Sequence, residues 1–259
     1  MKTVFAIAGV VIKEIYRRKD FYVLFVLVAL ITLGLGGVSF FNDDNLVRSI
    51  REICLLLIWV SALVIAITTT ARQIPAEREN RTIFPLLAKP VSRGQVIAGK
   101  FLGCWIATGF ALLVFYIFLG VVSAAREHHL PVFNYFQAMW LQWIMLGVVV
   151  AMALLGSIVF AAPSSNATIC LVVVVGILLL GGHLNIVALQ QSPPSRDILY
   201  TIYFLIPHLE WFDVRDLIIH KHGLVAWSAC GLATIYAAAY IAFFLFAAWI
   251  LFRRKALNT

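Results

Sequence analysis

Gly94-Gln-Val-Ile-Ala-Gly-Lys-Phe101, GQVIAGKF, departs at one position from G-x-x-x-x-G-K-[ST], the loop that cradles phosphates. Two folds hang on its reading. In a soluble α/β domain a strand would lead into the loop, backbone N–H groups would wrap the phosphates and a Ser/Thr hydroxyl would hold magnesium. Phe101 stands where that hydroxyl is required. Ser92 followed by Gln95 is a capping-box pattern, so a helix starts near Arg93 and continues into the apolar residues beyond. The octapeptide is then the first turns of a membrane helix, it binds no phosphate, and the fold is all-α.

Composition agrees. The 259 residues are 63% hydrophobic and 12% charged, against about 25% charged in a soluble domain. A helix needs about 20 apolar residues to cross the hydrocarbon layer. Uncharged runs extend from Phe21 to Phe41, Ile53 to Ala71, Phe101 to Ala125, Leu130 to Ser195 and Gly223 to Phe252. The fourth is divided by the turn cluster Pro163-Ser-Ser-Asn166 into spans near 139–162 and 166–190. The expectation is a polytopic membrane protein with six transmembrane helices in one domain over residues 1–259. No cleaved leader is expected, because the first strong apolar run begins at residue 21 and lacks a small-residue cleavage site.

Lys and Arg set the orientation. With both termini cytoplasmic, 14 of the 20 basic residues lie inside and eight of the 12 acids outside. Trp140, Trp143, Trp227 and Trp249 fit the interfacial aromatic belts. The basic charge follows from this topology and marks no nucleic-acid surface. Residues 3–19 place Val4, Ala8, Val11, Ile12 and Ile15 on one helical stripe with Lys13, Arg17 and Arg18 off it. Residues 1–20 therefore read as an interfacial amphipathic helix whose basic end meets anionic membrane lipids.

Arg72 to Lys100 is the longest charged cytoplasmic segment. Pro75 suits a first helical turn, with Glu77 and Glu79 near its positive dipole end. Gly99, Gly103 and Ala107 form a small-residue stripe for close helix packing. No acidic or basic residue falls near the middle of a span, which argues for an external energy source over a carried ion. Ser61, Thr68, Thr69 and Thr108 are candidate pathway residues, set against the ordinary habit of such hydroxyls to bond their own helix backbone.

On the outer side, residues 191–222 form the largest segment, and Ile198 to Ile206 is apolar but too short to span. It reads as a re-entrant or interfacial helix ended by Pro207. His128, His129, His208, His220 and His222 all fall outside, but with no Cys or Glu at ligand spacing no metal is expected. His183 is read as a hydrogen-bonded packing residue, and Cys54, Cys104, Cys170 and Cys230 as small apolar ones. No H-E-x-x-H is present and Gly156-Ser157 lacks the flanks of a nucleophile, so hydrolysis by this chain is not expected.

Glu77-Arg-Glu79, Thr82, Leu86-Leu87, Pro90-Val-Ser-Arg93 and Gly99-Lys100 together resemble the pattern between spans two and three of the ABC type-2 exporter permeases. The amphipathic N-terminus and Ile206-PHLEWFDVRD-Leu217 extend the likeness over most of the chain, with departures at Arg81 and Pro85. The resemblance implies a permease in the bacterial inner membrane with no catalytic site and no cofactor of its own. It would pair with a second permease copy and with a separate ATP-binding cassette ATPase subunit that holds ATP and magnesium. Residues 72–93 would be the cytoplasmic coupling helix, with Glu77, Arg78, Glu79, Arg81, Thr82, Pro90 and Arg93 meeting the ATPase. The exported substrate would be hydrophobic or amphipathic. The alternative is a membrane anchor that drives a periplasmic partner without moving a solute.

Overall fold

Backbone inside a lipid layer must satisfy its own hydrogen bonds, and a helix does so within one segment. The computed structural model describes residues 2–17, 19–38, 44–79, 91–127, 132–192, 194–219 and 223–254. Among these, only helical elements occur. They are α1 (Lys2–Arg17), α2 (Asp20–Val38), α3 (Asp44–Ala71), α4 (Pro75–Glu79), α5 (Arg93–Glu127), α6 (Val132–Val159), α7 (Pro163–Gln190), α8 (Ser195–Leu205), a 3-10 turn (Leu209–Phe212), α9 (Arg215–Ile219) and α10 (Trp227–Arg254).

Five described helices, in α3, α5, α6, α7 and α10, are long and apolar enough to cross a membrane. The expected first span is shorter: α2 carries the apolar stretch Tyr22–Gly34, and residues 39–43 lie outside the described residues. Local chemistry sets the boundaries. The Ser92 amide donates to Gln95 Oε1 at 3.0 Å and the Gln95 amide to Ser92 Oγ at 3.3 Å, a complete capping box ahead of α5. Pro163 opens α7, where its missing N–H costs nothing.

α6 is the central helix, packed by α3, α5, α7 and α10. In lipid, close packing and interhelical hydrogen bonds hold helices together more than hydrophobicity does. Trp105 Nε1 donates to the Trp143 carbonyl at 2.9 Å, and Trp143 Nε1 to the Trp105 carbonyl at 3.1 Å. The two indoles stack at 4.7 Å. Gly109 and Gly147 make the room, since a Cβ on either would meet the indole of the opposite helix. Gly109→Leu should cost about 1–3 kcal/mol by overpacking and lower the apparent unfolding midpoint in detergent by roughly 3–10 °C. An unchanged midpoint would show that the indole pair does not set this helix spacing.

α1 gains a neighbour that periodicity did not show. Its stripe, with Ala8, Val11 and Ile15 buried, is covered by the first half of α5, while Phe5, Val10 and Tyr16 are exposed. Gly99 lies against Ile7 and the Val4 carbonyl, and Gly103 against Val11 and the Ala8 carbonyl. The small-residue stripe is therefore a contact within one chain, with both helices running in the same direction.

Residues 194–219 follow their local sequence signals. α8 stops before Pro207, with Ile206 extended at φ −80° and ψ 135°, as the residue before a proline must be. Arg215 grips Asp213 at 2.8 and 2.6 Å and lies 4.9 Å from the centre of the Trp59 ring, fastening this segment to α3. Asp213 holds the Arg215 guanidinium more firmly protonated than usual.

Candidate functional site

The described charged residues of the 72–100 segment gather at one end of the bundle, where α3, α4, α5 and α10 meet. After Ala71 the chain turns through Gln73, whose amide donates to the Thr70 carbonyl at 3.1 Å. Pro75 then starts α4, and the Ala76 and Arg78 amides return to the Arg72 and Ile74 carbonyls. α4 is thus a short, bonded continuation of α3, folded back toward α5.

Lys100 fixes it there. Its residue is 1% exposed, yet its ammonium has three donors to satisfy. Nζ donates to Glu77 Oε1 at 2.7 Å, to the Gln73 carbonyl at 3.0 Å and to Gln73 Oε1 at 3.4 Å. Three donors meet three oxygens. Lys100 is the lysine of the octapeptide, and it holds a carboxylate of its own chain; Gly94 lies against the Trp249 indole and Gly99 against α1. The phosphate-loop reading has no room here.

The remaining residues divide sharply. Glu77 is turned inward to Lys100, with a side chain 26% exposed, while Glu79 is exposed. Arg78 keeps Nε and Nη2 buried without a hydrogen-bond acceptor. Arg93 is committed to α10: Nη1 donates to the Phe252 and Arg253 carbonyls at 2.8 Å each, where a helix C-terminus leaves carbonyls unpaired and favours a cation. Arg81, Thr82 and Pro90 lie outside the described residues.

Two residues of this site carried no role in the sequence. Gln73 is one. The other is Asn166, which is fully buried behind the turn that separates α6 from α7. Its Nδ2 donates to the Ala153 carbonyl at 3.1 Å and the Ala71 carbonyl at 3.4 Å, and its Oδ1 accepts from Cys170 Sγ at 3.3 Å. Asn166 thereby ties the last residue of α3 to α6 and α7. A polar residue flanked by long apolar runs was the available signal, because it must find partners.

Three of the four candidate pathway hydroxyls are engaged by their own helices. Thr68 donates to the Val64 carbonyl, Thr69 to Ile65 and Thr108 to Cys104, each within its own helix, and Ser61 is buried. Ala107 borders a crevice between α1 and α5. His208 is buried between the Tyr203 and Trp211 rings, with Nδ1 3.1 Å from Glu210 Oε1. No cluster of metal-ligating residues occurs among the described residues, and His128, His129, His220 and His222 lie outside them. His183, expected to pack, is exposed on α7. All four cysteines are buried and unpaired.

The arrangement can transmit displacement. α4 is joined to α3 through backbone and to α5 through Lys100, and α5 is in turn held by α1 at Gly99 and Gly103 and by α10 at Arg93. A force on α4 therefore reaches α3 through the backbone, α5 and α10 through hydrogen bonds, and α1 through close glycine contacts. Residues 6–257 match the family described as ABC-2 family transporter protein. No curated protein matches the chain.

Proposed function

Because the chain belongs to the ABC-2 family of transporter proteins, a permease-type membrane component of ABC transporters, we propose that it is the permease subunit of an ATP-driven exporter. ATP is hydrolysed by a separate cassette subunit that docks at α4. In the exporter α2 supplies a sixth span, and the basic end of the bundle faces the bacterial cytoplasm with both termini. Two permease copies enclose the path of a hydrophobic or amphipathic substrate.

One observation carries the reading: the division of work along α4. Glu77 binds the bundle through Lys100, whereas Arg78 holds two buried donors without acceptors and Glu79 is exposed. Desolvated donors are costly, and a docked partner whose carboxylate or carbonyl draws the Arg78 guanidinium outward would satisfy them. Closure of the ATPase would then move α4, and α5 with it, as a rigid body.

The test is purification of the full chain in mild detergent, with its companions identified by mass spectrometry. An ATP-binding cassette subunit is expected, with ATP hydrolysis in the complex and none in the chain alone. Arg78→Glu combined with Glu79→Lys should lower substrate-stimulated hydrolysis at least tenfold, while the unfolding midpoint of the chain is unaltered. Glu77 is left intact because reversing its charge would break the bond to Lys100. ATP hydrolysis by the isolated chain would refute the proposal.

A second reading, in which the chain passes motion to a periplasmic machine, is favoured by the hydroxyls. Thr68, Thr69 and Thr108 spend their protons on their own helices, so they offer a solute no free donor. Transport of a labelled solute into sealed vesicles separates the two.

A further inference from the structure

The contact between α1 and α5 is tight at Gly99 and Gly103 and then opens. One turn further on, at Ala107, a cavity of about 160 Å³ separates the helices, lined by Ile12, Ile15, Ile106, Ala107, Phe110 and Ala111, with Ile65 of α3 behind and Tyr16 at its border. A larger groove of about 450 Å³ shares Ile12, Tyr16 and Phe110 with that cavity and adds Lys13 and Arg17. Apolar floor and basic rim are thus continuous.

We propose that this groove seats one anionic phospholipid, with an acyl chain in the apolar crevice and its phosphate between Lys13 and Arg17. The two cations are four residues apart, so they project from one face of α1. Both are exposed, and neither forms an ion pair with a described residue. Glu14 is the carboxylate nearest them on α1, lining an adjoining groove with Val10, Lys13 and Arg17, so two positive charges face one negative. The surroundings select lipid over a soluble partner. Phe5, Val10 and Tyr16 are each more than 60% exposed on the same short helix; Tyr16 lines the groove and Val10 the one adjoining it, an apolar border that acyl chains would cover. Cations at the edge of such a surface attract anionic headgroups. The seat does not depend on where an ATPase docks. It would make the packing of α1 against α5 responsive to the lipid composition of the membrane.

The full chain reconstituted in nanodiscs of equal parts phosphatidylglycerol and phosphatidylcholine, with matched chains, provides the test. Native mass spectrometry of the released protein should find one phosphatidylglycerol per chain. The preference over phosphatidylcholine should be about 25-fold, each cation beside an anionic headgroup contributing about fivefold. Lys13→Gln/Arg17→Gln should abolish the preference, and each single variant should reduce it about fivefold, so the inference stays decidable if the double variant misfolds. Arg254→Gln, at the far end of α10, should leave it unchanged. Ala107→Phe, which fills the crevice, should reduce retention of both lipids. Equal retention of the two lipids by the unaltered chain, or an undiminished preference in the Gln variants, overturns the seat. So does displacement of the lipid by inorganic phosphate alone, which would assign the rim to free anions.

Discussion

Glu77→Leu is expected to destabilise the purified protein by about 3 kcal/mol, lowering its apparent midpoint in detergent by roughly 10 °C, whereas Lys100→Met should cost about 1 kcal/mol. The asymmetry comes from burial. Lys100 has a side chain 2% exposed, so losing Glu77 leaves an ammonium that water cannot reach. Breaking a buried pair by removing one partner typically costs about 3–5 kcal/mol, and the two Gln73 oxygens that remain place this case at the lower end. The Glu77 side chain is 26% exposed although its Oε2 is buried, so the carboxylate left by Lys100→Met lies nearer water than the ammonium left by Glu77→Leu. The double variant Glu77→Leu/Lys100→Met should recover most of the lost stability, because no buried charge is left over. It should not recover coupled ATP hydrolysis in the complex, because the bond that links α4 to α5 is still missing. Equal effects of the two single variants would contradict the placement of Lys100, and full coupling in the double variant would remove its transmitting role.

The second large effect is at Asn166. Asn166→Leu keeps the branched shape, with bulkier methyls in place of the amide, and removes three polar contacts at once, leaving the Ala71 and Ala153 carbonyls without this donor. The Ala71 carbonyl lies at the end of α3, where no further turn of that helix can satisfy it. A buried polar group left unsatisfied costs about 1–3 kcal/mol, so a loss of about 2–4 kcal/mol is expected. Because Ala71 immediately precedes the turn into α4, the same variant should increase amide exchange over residues 70–79. Gly156→Ala should act in the same direction more weakly, since its Cβ would fall against the Asn166 side chain. Wild-type stability and exchange in Asn166→Leu would show that α3 is positioned by packing alone.

What could be read in the sequence was local. The capping box at Ser92 and Gln95, Pro75 at a helix start, and the stop before Pro207 each depend on residues a few positions apart, and each appears as expected, whereas Pro163 to Asn166, read as a turn, forms the first turn of α7. The amphipathic stripe of α1 was also legible, but not what covers it: periodicity marks a face that wants burial and is silent on whether lipid or helix buries it. The bonds that build the candidate site were out of reach for the same reason. Lys100 finds Glu77 across an interval of 23 residues, and Asn166 finds Ala71 across 95. Nothing in spacing encodes such pairs. The burial of Lys100 was hidden besides by its position at the edge of a charged segment, where a lysine ordinarily reaches water or headgroups. Glu77 and Arg93, which the resemblance offers as docking residues, each bind a group within the chain.

The proposed function requires that force enter through α4 from a separate ATPase and pass to α5 through Lys100. A photo-crosslinking amino acid placed at Glu79 in the full chain and activated in intact cells reports on that docking. A single major adduct is expected that peptide sequencing identifies as an ATP-binding cassette subunit, with a yield that changes between ATP-bound and nucleotide-free membranes. The absence of such an adduct, while the same probe at exposed Ile198 behaves identically, would contradict it.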